Sequence, residues 1–295
     1  MPVWGERYVG VFCAATLPAI DRAAQKLIER ATQVGQLVDV RLVVHTDQPE
    51  RIMGATGLRV DARPVPAGLR DFDCMSQAHR EVLGMACRGD IVAIMTADAV
   101  IVESGYAYAA EVLNDPQINL VMCVAPRVLE EGQISGTDGP TLTRWAWANR
   151  HPITEQTIWP DGRAGDLSRM HFEFEGSVVS RVCLPHPLAV RITGRPIAFT
   201  PTVDVNLMNC FHHSEIHLAT DCEKLALFEL SPRTKTDWLA RETIAWRLAA
   251  GQLRIPDPLQ RWCLNHRVVI IGPDRDCGDD ALVRQIMNQH GGLPQ

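Results

Sequence analysis

Residues 86–100 read Ala-Cys-Arg-Gly-Asp-Ile-Val-Ala-Ile-Met-Thr-Ala-Asp-Ala-Val, and we infer the fold from this stretch. The pattern predicts a helix that ends at Gly89 and a buried strand over 91–95. Asp98 then follows just past the carboxyl end of that strand. Ligands of open α/β sheets bind at this position. Asp98 is therefore a candidate ligand for a metal ion or a nucleotide.

Strand and helix patterns alternate on both sides of this stretch. Apolar runs predict strands at 8–15, 39–45, 58–65 and 120–124, and helical spacing predicts helices at 19–36, 74–87 and 104–113. This alternation is typical of βαβ units, whose strands are parallel. We therefore expect residues 1–128 to form a doubly wound, mostly parallel sheet with helices on both faces.

The second half of the chain has a different texture. Gly, Pro and Trp residues crowd 131–170, which predicts a long irregular insert. Apolar runs predict strands at 177–184, 188–192, 224–230 and 268–271, and helices at 235–253 and 279–288. We expect a smaller β/loop region over 129–232 and a C-terminal helical segment over 233–295, all in one integrated domain.

Composition narrows the class of protein. The chain has 295 residues, 46% of them hydrophobic, and a net charge of −6 without a basic run, which argues against nucleic-acid binding. Its nine cysteines are an odd number without a C-x-x-C pair, as expected of reduced thiols. Neither a signal peptide nor an apolar run of membrane-spanning length is visible. We expect a cytoplasmic protein, with attachment to the inner face of the membrane left open.

The central stretch resembles the nucleotide-sugar half of GT-A glycosyltransferases. Those enzymes often show Gly-Asp, a hydrophobic strand and then Asp-x-Asp, and here Gly89-Asp90 precedes the strand and Thr96-Ala97-Asp98 follows it. Thr96 replaces the first Asp of that motif. The resemblance implies a GT-A-like fold, a donor that is a nucleotide diphosphate sugar, with UDP favoured, and Mn²⁺ or Mg²⁺ bound by Asp98. Thr96 would bond the ribose or a metal-bound water.

Further residues are assigned to the donor side by the same layout. Ala14, Ala15 and Thr16 end the first predicted strand, where that fold places the base. Asp47 ends the second predicted strand and would contact base or ribose, although a capped turn explains it equally well. Arg191 lies in the second half of the chain, outside this layout, and would neutralise the leaving diphosphate unless it forms an ordinary salt bridge.

The second half would supply the acceptor side. Asp204 is a lone carboxylate in an uncharged segment and is our candidate for the base that deprotonates the acceptor, with a helix N-cap as the alternative. His186 lies between two prolines and is a candidate catalytic or phosphate contact, or a structural histidine. His217 is a candidate second metal ligand. The tryptophans of the insert would cover the acceptor unless they belong to the core, and they are Trp145, Trp147 and Trp159.

These observations and the resemblance together predict a glycosyltransferase, with direct inverting displacement as the first choice and a retaining mechanism left open. The acceptor would be a saccharide, a lipid-linked molecule or a small molecule, and homo-oligomerisation is left open. Two alternatives remain. A sugar-nucleotide nucleotidyltransferase usually needs a Gly-rich basic loop after the first strand, which the segment Ala14–Pro18 lacks. A catalytically inactive nucleotide-sugar-binding protein is the other, and Thr96 in place of Asp favours it.

Overall fold

The computed structural model describes residues 1–65, 68, 71–134, 136–159, 169–197, 206–235 and 257–289. The helices are α1 (Glu6–Val11), α2 (Leu17–Gln33), α3 (Pro49–Met53), α4 (Asp71–Met85), α5 (Gly105–Val112), α6 (Gly139–Ala148), α7 (Pro152–Glu155), α8 (Pro258–Leu264) and α9 (Asp279–Gln289). The strands are β1 (Arg41–His45), β2 (Arg59–Arg63), β3 (Ile91–Ala93), β4 (Ala99–Ile101), β5 (Leu120–Cys123), β6 (Arg127–Leu129), β7 (Ile158–Trp159), β8 (Arg169–Phe174), β9 (Ser177–Val182), β10 (His186–Arg191), β11 (Ile216–Leu218), β12 (Leu227–Ser231) and β13 (Val268–Ile271). Short 3₁₀ turns cover Met208–Cys210 and His213–Glu215.

The prediction of a first strand over 8–15 is wrong, because this segment is helical. A π-helical turn, Phe12–Thr16, joins α1 to α2, so that the chain is helical from Glu6 to Gln33. A short apolar run fits a buried strand and a buried helix equally well, and length decides between them. Here Val9, Phe12 and Thr16 are buried at helical spacing, and the series continues through Ala23.

The predicted doubly wound, mostly parallel sheet is also wrong. The described strands form four small sheets, in the orders β1-β2, β11-β5-β10-β3, β4-β12-β6 and β13-β9-β8-β7. Parallel and antiparallel pairs occur together in every sheet except the first, which is a parallel pair. The physical reason is that strands buried on both faces have the same apolar sequence whichever direction their neighbours run. The burial of β10 from His186 to Val190 illustrates this.

Two chain segments pass from one sheet to the next. β3 leads into β4 through residues 94–98, and β5 leads into β6 through residues 124–126. The antiparallel strand β10 lies between β3 and β5, and β12 lies between β4 and β6. Hydrogen bonds Ile94 N to Leu188 O (2.7 Å) and Leu227 N to Val124 O (3.2 Å) hold the two crossing segments. We call this place, residues 94–98 and 124–126, the seam.

The insert expected to be irregular contains ordered structure. α6 begins at an Asp138 cap that accepts a hydrogen bond from Thr141 N at 3.0 Å. Trp145 and Trp147 are buried in the core, which answers the choice between lid and core for these two residues. Trp159 is partly buried in β7 and packs on a second, smaller hydrophobic cluster. Residues 160–168 lie outside the described residues.

Ion pairs hold the first residues of the C-terminal helix α9 against the strand β9. Arg181 on β9 donates to Asp279 at the start of α9 (2.6 Å), and Arg267 donates to the same carboxylate (2.9 Å). Asp280 also pairs with Arg181 and, at 2.8 Å, with Arg267. The predicted helix over 279–288 is therefore present, whereas the one over 235–253 falls almost wholly on residues 236–256, outside the described part. Among described residues, no helix has the length and apolarity to cross a bilayer.

Candidate functional site

The seam brings Thr16 to the Thr96-Ala97-Asp98 turn. The buried hydroxyl of Thr16 donates to the carbonyl oxygen of Ala97 at 2.9 Å, so the helical N-terminal segment supports this turn directly. The carbonyl oxygen of Asp98 accepts from Leu230 N at 2.6 Å, which fixes the turn against β12. Thr16, Thr96 and Asp98, which the sequence assigned to the donor side, thus lie together.

A buried ion pair lies beside this turn. Glu229 on β12 stands opposite Arg127 of β6 and opposite Ala99 of β4. Its Oε2 atom is 3.1 Å from Nη2 of Arg127 and 3.8 Å from Nη1 of Arg169. Arg127 also donates to the Ser231 hydroxyl at 2.8 Å. The parallel register of β12 and β6 therefore places opposite charges side by side in the interior.

The two carboxyl groups of the site differ in their affinity for a proton. Burial raises the pKa of Asp98, and the nearby charge of Glu229 raises it further, against the opposing effects of Arg127 and Thr96. Burial alone would also raise the pKa of Glu229, but Arg127 and Arg169 lower it below its ordinary value. Glu229 is therefore ionised at neutral pH, and Asp98 is the carboxyl that takes a proton more readily.

Lys235 completes the charged group. Burial and the charge of Arg127 lower its pKa, whereas Asp98 and Glu229 act in the opposite direction. We call Asp98, Arg127, Arg169, Glu229 and Lys235 the seam cluster. With every group ionised this cluster holds three positive and two negative charges. Protonation of Asp98 removes one negative charge and increases the excess of positive charge. Such a cluster in a partly buried place favours an anionic ligand.

An ion pair borders the seam cluster. Arg7 on α1 bonds the carboxylate of Glu130, which follows β6. Although burial works against the charged form of Arg7, Glu130 raises its pKa, and Asp98 makes a smaller contribution in the same direction. The guanidinium of Arg7 is therefore near enough to Asp98 to influence it, and α1 forms one side of the site.

His186 lies behind the seam cluster. It begins β10 opposite Cys123 and is buried. The pKa of Glu229 is lowered by Arg127 and Arg169 and, to a smaller extent, by the proximity of the His186 ring. The neighbouring His79 is buried, and burial lowers its pKa to about 3, so it is neutral at physiological pH.

Arg191 and His217 lie away from Asp98. Arg191 ends β10, about 17 Å along that strand from His186 at 3.4 Å per residue. It donates to Asn119 Oδ1 at 3.3 Å and to the carbonyl oxygens of Asp115 and Ile118. Arg191 therefore stabilises the loop between α5 and β5.

His217 is on β11, at the opposite edge of the sheet from β3. Its Nε2 atom is 3.0 Å from the hydroxyl of Tyr108, and burial lowers its pKa. Three strand spacings of about 4.8 Å separate β11 from β3. The structure therefore does not place His217 beside Asp98.

The remaining donor-side residues have local roles. Both carboxylate oxygens of Asp47 are 3.2 Å from Gly5 N, so the exposed Asp47 side chain accepts from the residue that precedes α1. Ala14 and Ala15 lie in the π-helical turn, Ala14 exposed and Ala15 partly buried against the core. Asp204 lies outside the described residues.

The described residues do not fit a divalent metal ion at the seam. Mg²⁺ and Mn²⁺ require several oxygen ligands with negative charge. The second carboxylate near Asp98 is Glu229, which is already paired with two guanidinium groups. Within the described ranges, no group of three His, Cys, Asp or Glu side chains is arranged to hold a metal. A cation would also meet the positive excess of the seam cluster.

The sequence interpretation missed four of the five members of the seam cluster. One signal was available for Glu229, which is a lone carboxylate in the apolar run 225–231. The same signal was applied to Asp204. Arg127, Arg169 and Lys235 carry no such mark, because each precedes or follows an apolar run as surface basic residues do.

A separate cleft of about 580 Å³ lies near the edge of the sheet that carries β11. It is lined by polar residues that include Asp221, Glu223, His266 and Arg267. None of the residues that the sequence assigned to a site lines it. No member of the seam cluster lines this cleft, so the two places are distinct.

Comparison with known proteins adds no family. No protein-family model matches the chain, and no curated protein or solved structure matches it significantly. Function is therefore argued from the side chains at the seam and from the sequence.

Proposed function

We propose that this chain is a glycosyltransferase that uses a nucleotide diphosphate sugar, with a UDP-sugar favoured, as its donor. The observation that carries the proposal is the seam cluster. It joins the Thr96-Ala97-Asp98 turn, which the sequence resemblance assigns to the donor, to three cationic side chains that suit a diphosphate. The acceptor is a saccharide, a lipid-linked molecule or a small molecule.

The reaction asks two things of the protein. The bond between the sugar C1 and the diphosphate oxygen breaks, and a bond between C1 and the acceptor oxygen forms. Negative charge develops on the leaving diphosphate, and preorganised cations such as Arg169 and Lys235 stabilise such charge in the transition state. The acceptor hydroxyl gives its proton to a base. Asp204 remains our candidate for that base in an inverting displacement, from outside the described residues.

Asp98 has a different role from the cations. Its carboxyl group, with a pKa above its ordinary value, accepts hydrogen bonds when ionised and donates one when protonated. Hydroxyl groups of the ribose or of the donor sugar satisfy both forms. Asp98 thus orients the donor, and Thr96 beside it provides a further hydroxyl.

A nucleotide-sugar-binding protein without activity is the second candidate. Thr96 in place of the first acidic residue favours it. The nucleotidyltransferase alternative loses support, because residues 12–16 form a helical turn without a loop that could wrap a phosphate.

Calorimetric titration with UDP and UDP-sugars tests the proposal. We expect binding, and we expect Asp98→Asn to weaken UDP-sugar binding by about tenfold, the loss of one good charged hydrogen bond, with an unchanged Tm. Asp115→Asn is the matched control, because Asp115 lies at the other end of β10. Release of UDP in the presence of acceptors separates the transferase from the inactive binder. Equal affinity of Asp98→Asn and the wild type would refute the assignment.

A further inference from the structure

The seam cluster has the charge that a metal would otherwise supply. A nucleoside diphosphate carries two to three negative charges, and proteins bind such groups through a divalent ion or through Arg and Lys side chains. Arg127 and Arg169 both pair with Glu229, Arg127 also acts on Asp98, and the charges of Asp98 and Glu229 both act on Lys235. Cationic side chains therefore already occupy the place where a metal ion would have to be held.

Glu229 arranges two of these cations. Its Oε2 atom lies between Nη2 of Arg127 (3.1 Å) and Nη1 of Arg169 (3.8 Å), so one carboxylate orients two guanidinium groups. Glu229 and Arg127 are each more than nine-tenths buried, whereas Arg169 is partly exposed. A guanidinium has five donors, and a single carboxylate oxygen cannot satisfy those of two guanidinium groups. Donors of Arg169 thus remain available to a ligand that enters from solvent.

We infer that the seam binds the diphosphate of the donor through Arg127, Arg169 and Lys235 without a divalent metal ion, with Glu229 as the positioning residue for the two arginines. This inference rests on the proposed function, because it takes the donor to be a nucleoside diphosphate compound. It replaces the Mn²⁺ or Mg²⁺ that the sequence resemblance implies. The cations would remain beside the diphosphate after the sugar–phosphate bond breaks.

Salt dependence is a consequence of this arrangement. Binding through side-chain cations weakens as salt screens the partly exposed Arg169 and Lys235. Chelators leave such binding unchanged, since no metal takes part. Inorganic pyrophosphate should compete with UDP, because it presents the same pair of phosphates without the nucleoside.

The experiment measures UDP binding by calorimetry with EDTA and, separately, with excess Mn²⁺. We expect the same affinity in both conditions and competition by inorganic pyrophosphate. Arg169→Gln and Lys235→Gln should each weaken UDP binding by about tenfold or more, while uridine binding changes little. Lys224→Gln is the matched control, because Lys224 is exposed and pairs with Asp221 away from the seam.

Glu229→Gln tests the positioning role and keeps the size of the side chain. We expect weaker UDP binding together with unchanged uridine binding and a folded protein by near-UV circular dichroism. If Glu229→Gln fails to fold, the Arg169→Gln and Lys235→Gln results decide alone.

Three outcomes would overturn the inference, and only one of them would overturn the proposed function as well. UDP binding that appears only with Mn²⁺ and is lost in EDTA overturns the metal-free site and leaves the proposed function standing. Failure of UDP, UDP-sugars and pyrophosphate to bind in either condition overturns the proposed function, and the metal-free site with it. Binding that survives both Arg169→Gln and Lys235→Gln places the diphosphate elsewhere and also overturns the inference.

Discussion

Replacement of Asp279 by alanine should destabilise the protein severely. The Asp279 side chain is fully buried, and its Oδ2 atom accepts from Arg181 at 2.6 Å and from Arg267 at 2.9 Å. Arg181 is itself buried, and without Asp279 it would keep, among the described residues, only the partly exposed carboxylate of Asp280 as an anionic partner. Breaking a buried pair from one side costs about 3–5 kcal/mol of unfolding free energy.

The expected change in Tm follows from the size of the chain. An unfolding entropy of about 2.1 cal/mol/K per residue, over 295 residues, amounts to about 0.6 kcal/mol/K, so Tm should fall by about 5–8 °C. Asp280→Ala is the matched control, because Asp280 contacts the same two arginines but its side chain is 39% exposed. It should cost about 1 kcal/mol or less. Urea unfolding and calorimetry measure both variants, and equal losses would refute the argument from burial.

Three further outcomes are expected. The hydrogen bonds from Arg267 and Arg181 overcome the effect of burial and keep the pKa of Asp279 below its ordinary value. The stabilisation of the fold by this carboxylate is therefore present above about pH 4 and lost as the pH falls further. The stability difference between wild type and Asp279→Asn should shrink in acid, and a constant difference would contradict this. A Cβ atom at Gly139 would lie 1.7 Å from the carbonyl oxygen of Glu223, so Gly139→Ala should lower the free energy of unfolding in urea by about 1–3 kcal/mol or more. The control is Gly10→Ala, at a helical position with open space around it, which should raise that free energy by about 0.5–1 kcal/mol. Burial lowers the pKa of His171 to about 3, so below about pH 6.5 this histidine binds a proton in the unfolded chain but not in the folded one. The free energy of unfolding should therefore fall by up to about 1.4 kcal/mol per pH unit towards pH 3. His171→Leu should flatten this slope, and an unchanged slope would contradict the assignment to His171.

Local patterns in the sequence predicted the elements better than their assembly. Strands at 39–45, 120–124 and 268–271 correspond to β1, β5 and β13, because each is a short apolar run bounded by polar residues or a turn. The strand predicted over 8–15 was wrong because an apolar run of eight residues fits a buried strand and a buried helix equally well. Its helix became recognisable only through burial at Val9, Phe12 and Thr16, which requires the folded neighbours.

The assembly of the strands is a long-range property. β10 lies between β3 and β5 although some sixty to a hundred residues separate it from them in the chain. No local signal in His186–Arg191 states whether its neighbours are parallel or antiparallel. The expectation of one wound sheet took alternation of strands and helices as evidence for parallel pairing, and the structure has both kinds.

At the candidate site, too, local signals were visible in the sequence and long-range contacts were not. The position of Asp98 after a predicted buried strand was a local signal. In the structure β3 spans only Ile91–Ala93 and exposes Ile91 and Ala93, so the strand is not buried as predicted, and Asp98 lies partly buried in a charged seam. The pairing of Arg127 with Glu229 depends on the parallel register of β6 and β12, whose sequences are about a hundred residues apart. Charges that meet through such a register leave no spacing pattern in the sequence. Arg191 was assigned for its charge and His217 through the resemblance, and the structure places neither of them beside Asp98.

The most direct test of the central claim is a crystal structure of the protein with UDP in the presence of a chelator. The account predicts that the diphosphate lies within hydrogen-bond distance of Arg169 and Lys235, with Asp98 facing the ribose or the position of the donor sugar. A diphosphate that lies in the cleft lined by Asp221, Glu223 and Arg267, or crystals that take up UDP only when Mn²⁺ is added, would contradict it.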